Sequence, residues 1–279
     1  LPTPHGAGIP LFIALGIGVV TAAVMGENWP PQYYQLLTIA GCLMLVGVLD
    51  DLRGLSVPLR FSVYGLSSVL AVTFIFSPWQ DSVTFALLYA ALAVAVLIWM
   101  LNLYNFMDGI DGYAASQCLA ACCGAAVLAW SMGPTSSYPL FCLLLAAAHA
   151  GFLCWNWPSA RVFMGDAGSV PTGFLLAALM LLGEAQGELP LACWLILLAV
   201  FVTDASVTLL WRIATGQPFT QPHRLHAYQR LSRHWGGHLP VVLTLLGINV
   251  LWLFPLAALV ASFPKYSILL VILAYFPLV

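Results

Sequence analysis

Polar residues are so sparse along this chain that the apolar stretches between them define its elements. With charges, Pro and Gly as boundaries, ten apolar segments can be read: 9–25, 33–49, 61–76, 83–101, 113–130, 139–155, 169–183, 189–211, 240–260 and 266–279. A helix needs about 20 apolar residues to cross a hydrocarbon core of about 30 Å, and interfacial flanks, tilt and local thinning accommodate shorter stretches. The pattern predicts an all-α, polytopic membrane protein, a single domain over residues 1–279 with about ten transmembrane segments. No internal repeat and no low-complexity tract interrupts it.

Composition agrees, since 62% of the 279 residues are hydrophobic and 6% are charged, against about a quarter charged in a soluble domain. A net charge of −2 leaves no basic footprint for nucleic acid. The seven cysteines (Cys42, Cys118, Cys122, Cys123, Cys142, Cys154, Cys193) lie in apolar runs without a CxxC pair, so they read as small hydrophobes rather than metal or redox ligands.

Charge placement gives an orientation. If each segment crosses once, Arg53, Arg60, Arg161, Arg212, Arg224, Arg230 and Arg233 fall on one side and Lys265 on the other. The positive-inside rule makes the arginine side cytoplasmic. The same parity brings Asp50, Asp51, Asp108, Asp111 and Asp166 to that face and sends Glu27, Asp81, Glu184 and Glu188 outward.

Four polar constellations lie on the arginine side. Asp50 and Asp51, in Gly47-Val48-Leu49-Asp50-Asp51-Leu52-Arg53, are like charges side by side and call for a compensating cation or water. Asn102, Asn105, Asp108 and Asp111 recur every third residue, which on a helix makes a polar stripe facing protein or water. Oxygen donors of this kind suit Mg²⁺, which keeps several waters and shares itself with substrate phosphates. Asp166 stands between glycines in Phe163-Met164-Gly165-Asp166-Ala167-Gly168, just before the seventh segment. His223, Arg224 and His226 occupy the longest polar loop, where guanidinium forks and imidazoles match a diphosphate. His149, inside an apolar segment, reads as a hydrogen-bonded packing residue. Asp204, eight residues before Arg212, is costly within a membrane and requires a partner that spacing does not name.

In this order the motifs resemble the polyprenyl-phosphate N-acetylhexosamine-1-phosphate transferases (glycosyltransferase family 4). The resemblance begins at Pro2-Thr3-Pro4-His5-Gly6-Ala7-Gly8, continues through the three acidic motifs and Asp204-Ala205-Ser206-Val207, and closes at His223-Arg224-Leu225-His226-Ala227-Tyr228-Gln229. It implies that a polyprenyl phosphate oxygen attacks the sugar-bearing phosphorus of a UDP-sugar and releases UMP. It further implies that Asp50 and Asp51 lie beside the acceptor phosphate, with Asp50 as general base. By the same resemblance Asn105 and Asp166 hold Mg²⁺ (or Mn²⁺), Asp108 joins them as a catalytic group and Asp111 reads the uracil. Asn102, His223, Arg224 and His226 then complete the substrate-binding set.

His5 and Ala7 stand where the family has Arg and Gly, and Arg53 or Arg60 replaces a Lys expected after the acidic pair. The final motif is closest to enzymes that start O-antigen or similar glycans, with undecaprenyl phosphate as acceptor and a UDP-N-acetylhexosamine as donor, in the bacterial inner membrane. The peptidoglycan branch, which transfers phospho-N-acetylmuramoyl-pentapeptide, is the alternative. The resemblance also implies one further segment before residue 1, about eleven in all, and a homodimer is carried as an expectation. Two other classes fit less well. A secondary transporter places its sites near the midplane of inverted repeats, and an alcohol phosphatidyltransferase needs an Arg where Ser116 stands.

Overall fold

The computed structural model describes residues 4–76, 83–133, 137–218 and 224–279. Helices follow one another with short connections: α1 (Gly8–Val24), α2 (Pro31–Arg53), α3 (Val57–Ile75), α4 (Val83–Met107), α5 (Tyr113–Met132), α6 (Ser137–Asn156), α7 (Asp166–Gln186), α8 (Leu191–Leu197), α9 (Ala199–Ala214), α10 (Ala227–His234), α11 (Leu239–Ile248), α12 (Phe254–Ser262) and α13 (Ser267–Tyr275). A π-helical turn, Asn249–Leu253, joins α11 to α12. Among the described residues the only extended pairing is an isolated parallel bridge between His5 and Phe163.

Each apolar segment read from the sequence has a helical counterpart, but length and composition qualify fewer as full spans. Among the described residues seven helices are long and apolar enough to cross, and the bent pair α8–α9 makes an eighth if it is one broken span. Gly8–Val24 and Pro264–Leu278 are shorter apolar helices, so the count of ten is not reached on these grounds. The outer surface explains the composition: Val24, Ile268 and Phe276 are each at least 80% exposed, and only lipid tolerates such a surface around the whole molecule. Cys42 and Cys154 belong to this exposed surface, whereas Cys118, Cys122, Cys142 and Cys193 are buried as small core residues.

Helix α7 is the axis of the bundle. Of its most apolar stretch, 94% is buried, and it packs against α1, α2, α3, α4 and α5. Small residues permit this. A Cβ on Gly47 of α2 would stand 2.5 Å from the carbonyl carbon of Asp166, and one on Gly173 would stand 2.8 Å from Cβ of Tyr104 in α4. His149 is fully buried beside α7, with Nδ1 2.9 Å from the Leu145 carbonyl and Nε2 3.2 Å from Thr172 Oγ1. This is the packing role expected of it.

Two departures from the sequence reading matter for the site. Helix α4 carries the polar stripe beyond the apolar segment, as expected, but ends at Met107, before Asp108 and Asp111. The segment 189–211 is not one rod: α8 and α9 meet at Leu198 with a bend of 72°. The carbonyl of Leu197, at this break, accepts the amide of Gln117 at 2.8 Å. The Gln117 Oε1 in turn accepts Nδ2 of Asn249 at 3.0 Å, so polar groups from three elements satisfy one another where lipid would offer no partner.

Candidate active site

The C-terminal ends of α2 and α4 meet the N-terminal end of α7, and the acids gather there. Gly165 precedes α7 with φ +67, and Asp166 opens its first turn. The carboxylate of Asp51 accepts the backbone N–H of Asp166 on Oδ1 at 3.1 Å and that of Ala167 on Oδ2 at 3.2 Å. Asp51 therefore caps α7 from across the bundle, satisfying two of the donors that a helix start leaves free. Its carboxylate oxygens are spent on backbone, not displayed side by side with those of Asp50.

Asp50 faces elsewhere. Oδ1 accepts the N–H of Leu55 at 2.6 Å and Oδ2 the guanidinium of Arg60 at 3.0 Å. Arg60 also reaches Oδ2 of Asp166 at 3.8 Å, and the carboxyls of Asp50 and Asp166 lie within hydrogen-bonding reach of each other. Of the two arginines near the expected Lys, Arg60 is thus the one that pairs with carboxylates among the described residues. Asn105 donates Nδ2 to Asp166 Oδ1 at 2.6 Å and to Ser169 Oγ at 3.0 Å. Sequence reasoning gave no role to Ser169, which stands three residues beyond Asp166.

The remaining members of the stripe separate. Asn102 donates to the carbonyl of Ile98 in its own helix at 2.7 Å. Asp108 and Asp111 lie beyond the end of α4, in the turn leading to α5, so the three-residue repeat is helical only as far as Asn105. Burial, reinforced by the nearby charge of Asp166 and opposed by His149, pushes the Asp108 carboxyl up to about 7. Asp111 is held by partners far away in the chain. Its Oδ2 accepts the N–H of Ala160 at 3.0 Å and lies 3.1 Å from Nδ1 of His238, just before α11. The next residue, Gly112, has φ +71 and donates its N–H to Asn156 Oδ1 at 2.8 Å. No spacing rule links His238 or Asn156 to the acidic motif, and both were missed.

Of the basic loop, His223 lies outside the described residues, as do Pro2 and Thr3 of the first motif and Asp81. Arg224 is exposed, and its carbonyl accepts Nη2 of Arg233 at 2.9 Å. His226 is 3% exposed, with Nδ1 3.4 Å from Asp204 Oδ1. The structure therefore sets Arg224 at the surface and His226 inside. Asp204, whose partner the spacing could not name, also accepts the N–H of Ala227 at 2.8 Å and of Tyr228 at 3.0 Å. The first loop pairs with the Asp166 motif: Ala7 donates to the Phe163 carbonyl and Gly8 to that of Met164, each at 3.2 Å.

Among the described residues no three His, Cys, Asp or Glu side chains converge as a metal cage. What they offer is Asn105 and Asp166 side by side, with Asp50, Asp51 and Asp108 nearby and Arg60 between two of the carboxylates. Such an excess of carboxylate oxygen with few fixed ligands fits Mg²⁺, which is content with one or two protein donors, water and substrate phosphates, and does not fit a closed structural site. An apolar groove of about 720 Å³ lies beside this end, between α9, α10 and α11, with Val207, Trp211, Leu231 and Leu245 on its walls together with Arg230.

Sequence comparisons agree with the geometry. The chain is 28% identical over 267 residues to a Bacillus subtilis protein named "Probable undecaprenyl-phosphate N-acetylglucosaminyl 1-phosphate transferase", covering 92% of this chain and 73% of the relative. It is 27% identical over 282 residues to the decaprenyl-phosphate N-acetylglucosaminephosphotransferase of Mycolicibacterium smegmatis, covering 87% and 68%. A phospho-N-acetylmuramoyl-pentapeptide-transferase of Gloeothece citriformis is 30% identical over 200 residues, covering 64% and 53%. Residues 33–184, which carry α2 to α7 and all three acidic motifs, match the family described as glycosyl transferase family 4, and this chain belongs to it.

Proposed function

We propose that this protein transfers N-acetylhexosamine 1-phosphate from a UDP-sugar to undecaprenyl phosphate, releasing UMP and leaving a polyprenyl diphosphate sugar, at the cytoplasmic face of a bacterial inner membrane. The observation that carries the reading is the meeting of Asp50, Asn105 and Asp166, from three helices, at one end of an apolar bundle. Such a place lets a soluble nucleotide reach a phosphate whose tail stays in lipid. The groove between α9 and α11 has the apolar walls that a prenyl chain requires.

Phosphoryl transfer asks a protein mainly for positioning and charge neutralisation. Asn105 and Asp166 would hold Mg²⁺ (or Mn²⁺), which when bound offsets the negative charge of the diphosphate. Arg60, now shared between Asp50 and Asp166, is drawn to an arriving acceptor phosphate, which frees Asp50 Oδ2 to take the acceptor proton. Asp111, steadied by Ala160 and His238 on Oδ2, offers Oδ1 to the uracil edge. Arg224 donates to the diphosphate as charge moves onto the leaving UMP.

The test is to offer the purified protein several UDP-N-acetylhexosamines with undecaprenyl phosphate and Mg²⁺ and to measure UMP and the lipid product. Release of UMP with each polyprenyl diphosphate sugar formed supports the reading. No release with any of them, but turnover of UDP-N-acetylmuramoyl-pentapeptide, moves the chain to the peptidoglycan branch, as the Gloeothece relative's name would have it.

A further inference from the structure

We propose that Asp204 is a positioning residue that sets the basic loop over the acidic turn and acts on the reaction through Arg224 without touching substrate. This rests on the transfer reaction proposed above and assigns a task to a carboxylate that the reaction itself does not use.

Asp204 is 9% exposed, on α9 just beyond the bend. A buried carboxylate needs compensation, and here all but the hydroxyl of Thr208, one turn on in α9, comes from the far side of the loop. Oδ1 accepts Ala227 N–H at 2.8 Å and the hydroxyl of Thr208 at 3.2 Å, Oδ2 accepts Tyr228 N–H at 3.0 Å, and His226 Nδ1 stands 3.4 Å from Oδ1. The two amides belong to the first turn of α10, so Asp204 caps that helix from another element, where its charge also meets the positive end of the helix dipole. With both oxygens so engaged, Asp204 is unsuited to be a metal ligand or a base.

What α10 carries explains why it is held. Tyr228 is 1% exposed and donates its hydroxyl to the Phe106 carbonyl, the last turn of α4, at 2.9 Å. Burial raises its phenol pKa, so it remains a donor. Gly109 lies directly under that hydroxyl, where a Cβ would also come within 3.1 Å of Gln229 Nε2. The rings of Phe201, Tyr113, Tyr228, His226 and Phe106 then form a continuous stack. Successive centroids are 5.1, 4.8, 5.8 and 6.4 Å apart, with interplanar angles of 18° to 25°. Asp204 thus clamps α10 onto the turn that bears Asp108 and Asp111, and Arg224, two residues before His226, is carried with it. A carboxylate placed here lowers the positive charge of the loop. Its gain is therefore in geometry, and a misplacement of about 1 Å can cost a hundredfold in rate.

The experiment is a double-mutant cycle in the full chain with Asp204→Asn, Arg224→Ala and the pair, reading kcat, KM for the UDP-sugar and thermal midpoint. Each single variant should lower kcat by about tenfold or more, with KM changed less than about threefold, and the pair should be no slower than Arg224→Ala alone, since the two act as one unit. Losses that multiply at unchanged midpoint would overturn the proposal, because Asp204 would then act apart from Arg224. Should Asp204→Asn fail to fold, Tyr228→Phe keeps the ring stack, removes the bond to Phe106, and should show the same dependence on Arg224 at smaller amplitude. Tryptic cleavage after Arg224 reads the clamp independently of turnover. Asp204→Asn should speed it by about tenfold, and unchanged cleavage would overturn the clamp. If the wild-type protein released no UMP from any UDP-sugar, the transfer reading would fail, while this cleavage rate would still decide whether Asp204 holds the loop.

Discussion

The carboxylates of Asp50 and Asp51 are one peptide apart and face different partners, Arg60 and Leu55 in one case and the first amides of α7 in the other. Asp50→Asn keeps size and polarity but cannot take a proton, so turnover should fall by about 10² or more, the scale of a lost general base, while UMP affinity in a calorimetric titration stays as it was. Near-normal turnover in that variant would end the general-base assignment. Asp51→Ala should instead lower the thermal midpoint, by an amount corresponding to about 1 kcal/mol for a lost helix cap. Asp111→Ala should weaken UMP binding by about 1–3 kcal/mol, as for a hydrogen bond to a charged group; unchanged binding in the same titration would remove Asp111 from the nucleobase. The sequence made Asp50, Asp51 and Asp166 legible as one acidic face because charges in an apolar chain stand out. It could not divide the labour between Asp50 and Asp51, since the division depends on where α7 begins, 115 residues further on. The partners of Asp111 were hidden for the same reason: Ala160 and His238 are 49 and 127 residues away and belong to no local pattern.

At the scale of elements, the helices themselves were readable because hydropathy alone marks a membrane segment. The end of α4 and the break in α8–α9 were not. Leu197-Leu198-Ala199 contains neither Gly nor Pro, and what stabilises the bend is Gln117 and Asn249, two polar side chains 3% exposed or less on other elements. Gln117→Leu should leave the Leu197 carbonyl unpaired in an apolar interior and cost about 1–3 kcal/mol, measurable as a lower melting midpoint in detergent. Where α2 crosses α7 the tolerance is smaller still. Gly47→Ala puts a methyl 2.5 Å from the backbone of Asp166, so the helices must part, at about 1–3 kcal/mol for an overpacked contact. Because the shift falls on a proposed metal position, the Mg²⁺ concentration needed for half-maximal turnover should rise as well. A stable variant with unaltered Mg²⁺ response would show that α2 and α7 do not set that position jointly.

For the whole molecule, the parity of segments led to one crowded face, and the described helices do bring Asp50, Asn105, Asp111, Asp166 and the start of α10 to one end. At the other, Glu27 accepts the hydroxyl of Ser137 at 2.5 Å. Chelation with EDTA should abolish turnover and added Mg²⁺ restore it; full activity in EDTA would remove the metal from the site. In sealed right-side-out vesicles an impermeant thiol reagent should reach Gln186→Cys and not Thr215→Cys, and the reverse pattern would invert the orientation. The central position of α7 bears on how such a protein is made. A nascent chain that has delivered α1 to α6 to the translocon already holds Asp50, Asp51 and Asn105, but the amides that Asp51 caps have not yet been synthesised. At roughly 5–20 residues per second the ribosome needs about 6–23 s to cover that interval of 115 residues. For that time Asp51 lacks the amides it will cap, whereas Leu55 and Arg60, the partners of Asp50, follow it within ten residues. When α7 arrives it enters a slot lined by protein more than by lipid, so the step that completes insertion is also the step that first assembles the site, and a chain cut short before residue 166 would carry its acids without the geometry that makes them reactive.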